Sequence, residues 1–244
     1  MRDPKLMHAE TPFMADAADR AFAVLKAGGV ALMPMDVGYS AIGGSYDALR
    51  RIFEAKRRQP TKFNAMIGDA ELARELYVLP DSGWAAFDAI TLDDDLPLGV
   101  IGPCRMDHPI LAAMDPRALE MSTKDGTLCM LTNAGSFHAA ISRRSRESRH
   151  ALFGSSANLS LAGTKFRAAD IEPEIRAVAD IVIDHGLRKC WPYRASSTLL
   201  DLATFEVVRF GSSYELIQDT MLRRFGVALP PAPNPLRIQE HPAP

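Results

Sequence analysis

GGVALMPMDVGYSAIGGSYDALRRIFEAKRR, residues 28–58, divides into three parts, and the division sets the fold. Val30, Ala31, Leu32 and Met33 form a short apolar run closed by Pro34, which predicts a buried strand. Asp36, Gly38, Tyr39, Ser40 and the pair Gly43-Gly44 then predict a flexible polar elbow. Ala48, Leu49, Ile52, Phe53 and Lys56 recur at helical spacing. Asp47 suits the first turn of that helix, where a carboxylate meets free N–H groups. The helix runs out in Lys56-Arg57-Arg58. On a continuous helix Lys56 and Arg58 point to different faces. A helix that stops between them lets both heads reach one anion; the alternative is a solvated C-terminal cap.

Outward from this stretch, the same strand-then-helix rhythm continues. Residues 1–13 read as a flexible arm, and Ala15–Ala27 as a helix with Ala18, Phe22 and Leu25 inward, ended by Gly28-Gly29. Downstream, short strands are expected at 63–67, 98–101, 127–131, 151–153, 181–183, 197–202 and 206–209. Helices are expected from Asp69, over 82–90, 109–114 and 171–179, after a capping Ser136, and over 214–225. Asp93-Asp94-Asp95 reads as a solvated turn. The tail, 227–244, is too rich in proline to fold, most clearly from Pro230. No repeat or long linker interrupts the order. The expectation is one α/β domain over 14–226, a single twisted mixed β-sheet with flanking helices and a concave cavity.

Composition excludes several classes. The chain has 244 residues, enough for one large domain, and its net charge of −2 gives no general attraction to nucleic acid. No apolar run approaches the roughly 18 residues of a membrane span. MRDPKLMHAE lacks the apolar centre of a secretion signal, so a cytoplasmic location is expected. Cys104, Cys129 and Cys190 are far apart and the six histidines have no ligand spacing, so no protein-built metal site is predicted. One basic cluster stands out: Arg143, Arg144, Arg146 and Arg149 beside His150. It reads as the wet face of a helix whose dry face is Phe137, Ala140 and Ile141, with RNA contact as the alternative.

Three polar groups fall at strand ends or turns: Lys56 with Arg58, Ser155-Ser156-Ala157-Asn158, and Ser196-Ser197-Thr198 with Arg209 shortly after. Open sheets bind ligands where strands run out into loops. Lysine supplies a point charge, arginine a planar fork, and small hydroxyl residues complete an anion nest. Together they suit a polyphosphate. There is no G-x-x-x-x-G-K-[ST] loop and no G-x-S-x-G elbow, which excludes P-loop enzymes and hydrolases of the elbow type.

In order and spacing these residues resemble the YrdC-like threonylcarbamoyl-AMP synthases over about residues 17–217. The carriers of the resemblance are Pro34-Met35-Asp36-Val37-Gly38-Tyr39-Ser40, Lys56-Arg57-Arg58, Ser156-Ala157-Asn158, Asp184-His185-Gly186, Ser197-Thr198 and Val208-Arg209-Phe210-Gly211. The resemblance implies a nucleotidyltransferase. It would use ATP with Mg2+, L-threonine and bicarbonate to make threonylcarbamoyl-adenylate and pyrophosphate for tRNA adenosine modification. It implies Lys56 and Arg58 as catalytic, and Lys56, Arg58, Ser156, Asn158, Ser197 and Arg209 as ATP-binding. Met35, Val37, Tyr39 and Arg58 would form the amino-acid side. Four departures stand out, one being Lys62-Phe63-Asn64-Ala65-Met66 where the family has a proline and then a run of aliphatics. Met35 and Val37 replace two threonines, Ser40 replaces a glycine, and Leu131-Thr132-Asn133 replaces an R-x-P. The alternatives are a paralogue acting on a different amine, and a non-catalytic nucleotide-binding or double-stranded-RNA-binding protein of the same fold.

Overall fold

A computed structural model describes residues 10–58 and 62–232; residues 1–9, 59–61 and the tail from 233 lie outside the described residues. Helix α1 (Pro12–Lys26) starts at a proline, behind a Thr11 N-cap whose side chain accepts from Met14 N–H. Proline costs nothing in the first helical turn, since its missing donor has no partner there. Then come β1 (Val30–Met35), β2 (Gly38–Gly43) and α2 (Tyr46–Ala55).

The expected elbow is therefore a second strand, joined to the first by the two-residue turn Asp36–Val37. Pro34 does not close β1 but lies within it, opposite Tyr39. That pair exchanges no backbone hydrogen bonds, because Tyr39 N–H donates to Lys165 O and Tyr39 O accepts from Ala157 N–H. A missing N–H is harmless at such a position. Every residue of both strands is buried, which is why polarity was a poor guide to them.

The remaining elements follow in order. They are β3 (Ala65–Ile67), α3 (Ala70–Leu76), α4 (Asp81–Asp88) with a π-turn at Ala89–Asp93, and β4 (Leu98–Pro103). Next are α5 (Pro109–Ala112), α6 (Pro116–Glu120), β5 (Thr123–Lys124), β6 (Thr127–Thr132) and α7 (Ser136–Glu147). The chain ends in β7 (Phe153–Ser156), α8 (Pro173–Arg176), β8 (Ile181–Val182), β9 (Leu199–Asp201), β10 (Val207–Arg209) and α9 (Tyr214–Phe225). No helix among the described residues is long and apolar enough to cross a membrane.

All ten strands form one mixed sheet in the order β10–β9–β4–β6–β3–β7–β2–β1–β8, with β5 paired to β6 off this path. Strands β1/β8, β3/β6 and β4/β9 are parallel and the other pairs antiparallel. Alternation along each strand builds two cores. On one face Leu49, Ile52, Leu72, Leu76, Phe87 and Ile217 from the helices join Val30, Leu32, Met66, Val100 and Met130. On the other, Ala18 and Leu25 of α1 and Phe137 and Ile141 of α7 join Ala31, Met33, Ile42 and Ile67. On that second face helix α1 packs on β1 and β8, and α7 on β1 and β3. Beyond them it opens as a cavity.

Local chemistry corrects several expectations. Ser136 is the first residue of α7, not its cap; Gly135 holds that place at φ +100 with no side-chain cap bond. A Cβ on Gly135 would lie 2.5 Å from Asp36 Oδ1, so only glycine lets the Asp36 turn approach. Asp93 and Asp94 form no solvated turn, since Arg224 of α9 binds both, at 2.7 and 2.9 Å. The expected helix at 171–179 shrinks to four residues. The α7 arginines are ion-paired: Arg143 and Arg144 with Glu10, Arg144 with Asp19 at 2.6 Å, and Arg146 with Asp69 and Glu71. They form a seam to neighbouring elements, where the sequence suggested a wet face.

Gly154, in β7, is the tightest point of the sheet. A Cβ there would sit 2.0 Å from Ala41 O of the neighbouring strand and 2.8 Å from Ile42 Cδ1. Backbone cannot yield without breaking the β2–β7 pairing. Gly154→Ala is expected to lower unfolding stability by about 3 kcal/mol, read by urea denaturation. A loss below about 0.5 kcal/mol would show that the strands part more easily than this packing implies.

Candidate functional site

Helix α2 does stop between its cations. Lys56 is the C-cap, and Arg57 takes a left-handed φ of +50, which turns the chain and carries Arg58 off the helix axis. The Lys56 side chain, only 3% exposed, donates from Nζ to Ser156 O and, at 2.6 Å, to Asn158 O. Lys56 thus ties the helix end to the end of β7. Ser160 closes the same knot, giving its N–H and hydroxyl to Lys56 O at 3.1 and 2.8 Å. Arg58 donates from Nε to Lys62 O (3.2 Å) and from Nη2 to Phe63 O (2.5 Å). Arg209, on β10, donates to Ser197 O at 3.1 and 2.8 Å and to Ser197 Oγ at 3.2 Å.

These residues meet in one cavity of about 530 Å3. Lys56, Arg58, Ser156, Asn158, Ser197 and Arg209, predicted from four separate segments, all line it. The floor is made by alternate residues of neighbouring strands: Ser40 and Ile42, Ala65 and Ile67, Cys129 and Leu131, with Gly99 and Leu199 beyond. No aspartate or glutamate among the described residues lines it. Five cationic residues, Lys56, Arg57, Arg58, Lys62 and Arg209, with no carboxylate among the described lining residues, make this an anion site.

Their protonation registers the strain. Burial, then the Arg58 charge, bring Lys56 down to about 7, against a weaker opposing pull from Glu172. Burial, then the Arg209 charge, bring Arg58 down to about 10. Burial lowers Arg209 as well. The Cys129 thiol is pushed up to about 11 by burial, despite both arginines, so it is no nucleophile at neutral pH. Two buried atoms on lining residues, Asn158 Oδ1 and Ser155 Oγ, have no hydrogen-bond partner among the described residues. Asn158 is 6% exposed and its Nδ2 is committed to Leu159 O at 2.5 Å, so the orphan is an acceptor facing an unfilled requirement.

Met35, Val37 and Tyr39 do not belong to this cavity. Met35 and Val37 are packed in the core with Ala134, Phe137 and Cys190. Tyr39 is fully buried on the opposite face of the sheet, one residue out of phase with the cavity-lining Ser40. Its hydroxyl donates to Asp184 Oδ1 at 2.8 Å and accepts from His185 N–H at 3.1 Å. Burial and that carboxylate push it up to about 12. None of the three lines the cavity; the strand residues that do include Ser40, Ile42, Ile67 and Leu131. Ser40 and Ile42 were legible from strand alternation once β2 is read as a strand. Ala65, Cys129 and Leu199 carried no local signal.

An anion entering the cavity favours the charged ammonium, so binding raises the Lys56 pKa from about 7 and takes up a proton. At pH 8, with the last ionisation of tripolyphosphate itself accounted for, calorimetry in two buffers of different ionisation enthalpy is expected to show net proton uptake by the protein. Affinity is expected to fall as pH rises from 7 to 9. For the empty protein the sign is reversed. The unfolded chain holds the Lys56 proton up to its ordinary 10.5, so the depressed folded value makes stability rise with pH between about 7 and 10.5. Binding with no proton uptake would contradict the assignment of Lys56 to the anion.

Comparison with known proteins gives a consistent picture. A family model described as Telomere recombination (Sua5_yciO_yrdC) matches residues 23–211. No curated protein matches. Among solved structures, the hypothetical protein smu.1377c from Streptococcus mutans UA159 superposes with a TM-score of 0.72 at 22% identity, over 86% of this chain and 92% of that one. Sua5 from P. abyssi, complexed with L-threonine, gives 0.67 at 19% identity, over 90% of this chain and 59% of that one. YciO from E. coli gives 0.62 at 16% identity, over 81% and 90%. At these identities the likeness is one of fold.

Proposed function

The chain belongs to the Sua5/YciO/YrdC family, and from that premise we propose that it is an ATP-dependent carbamoyl-adenylate synthase serving tRNA adenosine modification. The observation that carries this reading is the convergence of Lys56, Arg58 and Arg209 with Ser156, Asn158 and Ser197 on a cavity with no carboxylate among its described lining residues. A triphosphate supplies the negative charge those cations lack and takes several donors at once.

In this scheme the amine nitrogen of an amino acid bonds to the carbon of bicarbonate and water is lost, giving a carbamate. A carbamate oxygen attacks the α-phosphorus of ATP, and the bond to pyrophosphate breaks. Arg58 and Arg209 neutralise charge that grows on the phosphate oxygens, and Lys56 holds the β7 end at the distance the ligand requires. Catalysis is then positioning and electrostatic stabilisation, with no side-chain nucleophile. No group of His, Cys, Asp and Glu among the described residues is arranged to hold a metal ion. Magnesium enters as the counter-ion that ATP carries.

L-threonine is the first amino acid to test, as the ligand named for the P. abyssi Sua5 structure. A second reading rests on the floor: Ile42, Ile67, Leu131 and Leu199 are apolar and favour a side chain without a hydroxyl. Pyrophosphate release from ATP and bicarbonate, measured across the amino acids, tests both. Release with threonine supports the first reading, and release only with another amine supports the second. No release with any amine, with salt-sensitive RNA binding in its place, would favour a binding protein on this fold.

A further inference from the structure

The turn Leu159–Ala162 stands beside the cavity, closed by Ala162 N–H donating to Leu159 O at 3.1 Å. Leu161 occupies its third position at φ +68, a place that favours glycine. It is also 99% exposed, the extreme among the large apolar side chains. Strained backbone and a wetted leucine together bring the free protein no benefit. The turn is not loose: Ser160 binds Lys56 O twice, and Lys165, further along, is paired with Glu172 at 2.6 Å. Leu161 is held outward by design of its neighbours. A second apolar side chain, Phe63, is 37% exposed and lines the same cavity, while its carbonyl anchors Arg58.

We propose that Leu161 and Phe63 form an apolar clip for the planar base of the bound nucleotide, which makes them positioning and specificity residues of the site. The inference rests on the reading of the cavity as a nucleotide site. Apolar carbon does nothing for a triphosphate, whose charge is met by Lys56, Arg58 and Arg209. A heteroaromatic ring has two broad faces that gain from leaving water against leucine and phenylalanine. Strain of this kind is tolerated where ligand contact repays it.

The test compares ATP with inorganic tripolyphosphate by calorimetry on the wild type, Leu161→Gly and Phe63→Ala. The wild type is expected to prefer ATP. Each substitution is expected to weaken ATP binding about five- to tenfold and to leave tripolyphosphate binding unchanged. Leu161→Gly removes a left-handed leucine and is expected to melt no lower than the wild type, so it decides the matter alone should Phe63→Ala fail to fold. Equal losses for both ligands, no loss for either, or a wild type indifferent to the base would each overturn the clip while leaving the anion site standing. A wild type that binds neither ligand would remove the nucleotide reading itself, and the clip with it.

Discussion

The double substitution Arg58→Ala/Arg209→Ala is expected to weaken ATP and tripolyphosphate binding by at least 100-fold while leaving the fold intact. Each guanidinium spends part of its donors on a backbone carbonyl, Phe63 O for Arg58 and Ser197 O for Arg209. The remaining N–H groups are free for the ligand. A charge-assisted hydrogen bond contributes about 1.5–3 kcal/mol, so two of them give roughly two to four decades in affinity. Folding is affected little, because the two cations depress one another's neighbourhood: the Arg209 charge helps to lower Arg58. Removing both relieves that repulsion as it loses the carbonyl contacts. The expected stability change is within about 1 kcal/mol. Calorimetry with both ligands, beside a thermal melt, checks the two halves separately. Unchanged affinity in a well-folded double variant would sink the anion site, whatever the family membership of the chain.

How far such a site can be read from sequence depends on which interactions are local. The helix end at Lys56-Arg57-Arg58 was legible because three cations at a helix C-terminus have few uses. Ser156-Ala157-Asn158 and Ser197-Thr198 were legible because small polar residues beside an apolar run mark a strand end. Their convergence was carried by order and spacing, and the sheet supplies the physical cause by placing β2, β7, β3, β6, β4 and β9 side by side. The misreadings share one origin. Gly38–Gly43 looked like an elbow because glycine, serine and tyrosine are polar or flexible in isolation, yet pairing on both edges makes them a central strand. Once that strand is missed, phase is lost with it. Tyr39 was placed at the ligand although Ser40 and Ile42 are the residues on that face. Long-range ion pairs, such as Arg224 with Asp93, carry no local signal at all.

Lys56→Ala is expected to cost both binding and stability, and the two costs separate its roles. Nζ serves Ser156 O and Asn158 O; Ser156 O also accepts from Asn158 N–H at 3.0 Å, so Asn158 O is the carbonyl that loses its donor. Each buried acceptor left unpaired costs about 1–3 kcal/mol, and the truncated stem leaves a void beside β7. Against this stands relief from keeping an ammonium in a buried, cationic setting, the same setting that brings its pKa down to about 7. The unpaired Asn158 carbonyl and the void together outweigh that relief, since a neutral amine at pH 8 still donates to the carbonyl. A net loss of about 3 kcal/mol is expected in chemical denaturation at pH 8. Lys56→Met fills the void but still lacks the donors, so it should recover about 1 kcal/mol of that loss and no anion affinity. Both variants should also lose the proton uptake on tripolyphosphate binding, because the amine that takes up the proton is gone. A Lys56→Met protein that keeps wild-type affinity and still takes up a proton would place the titrating group elsewhere and reduce Lys56 to a structural tie.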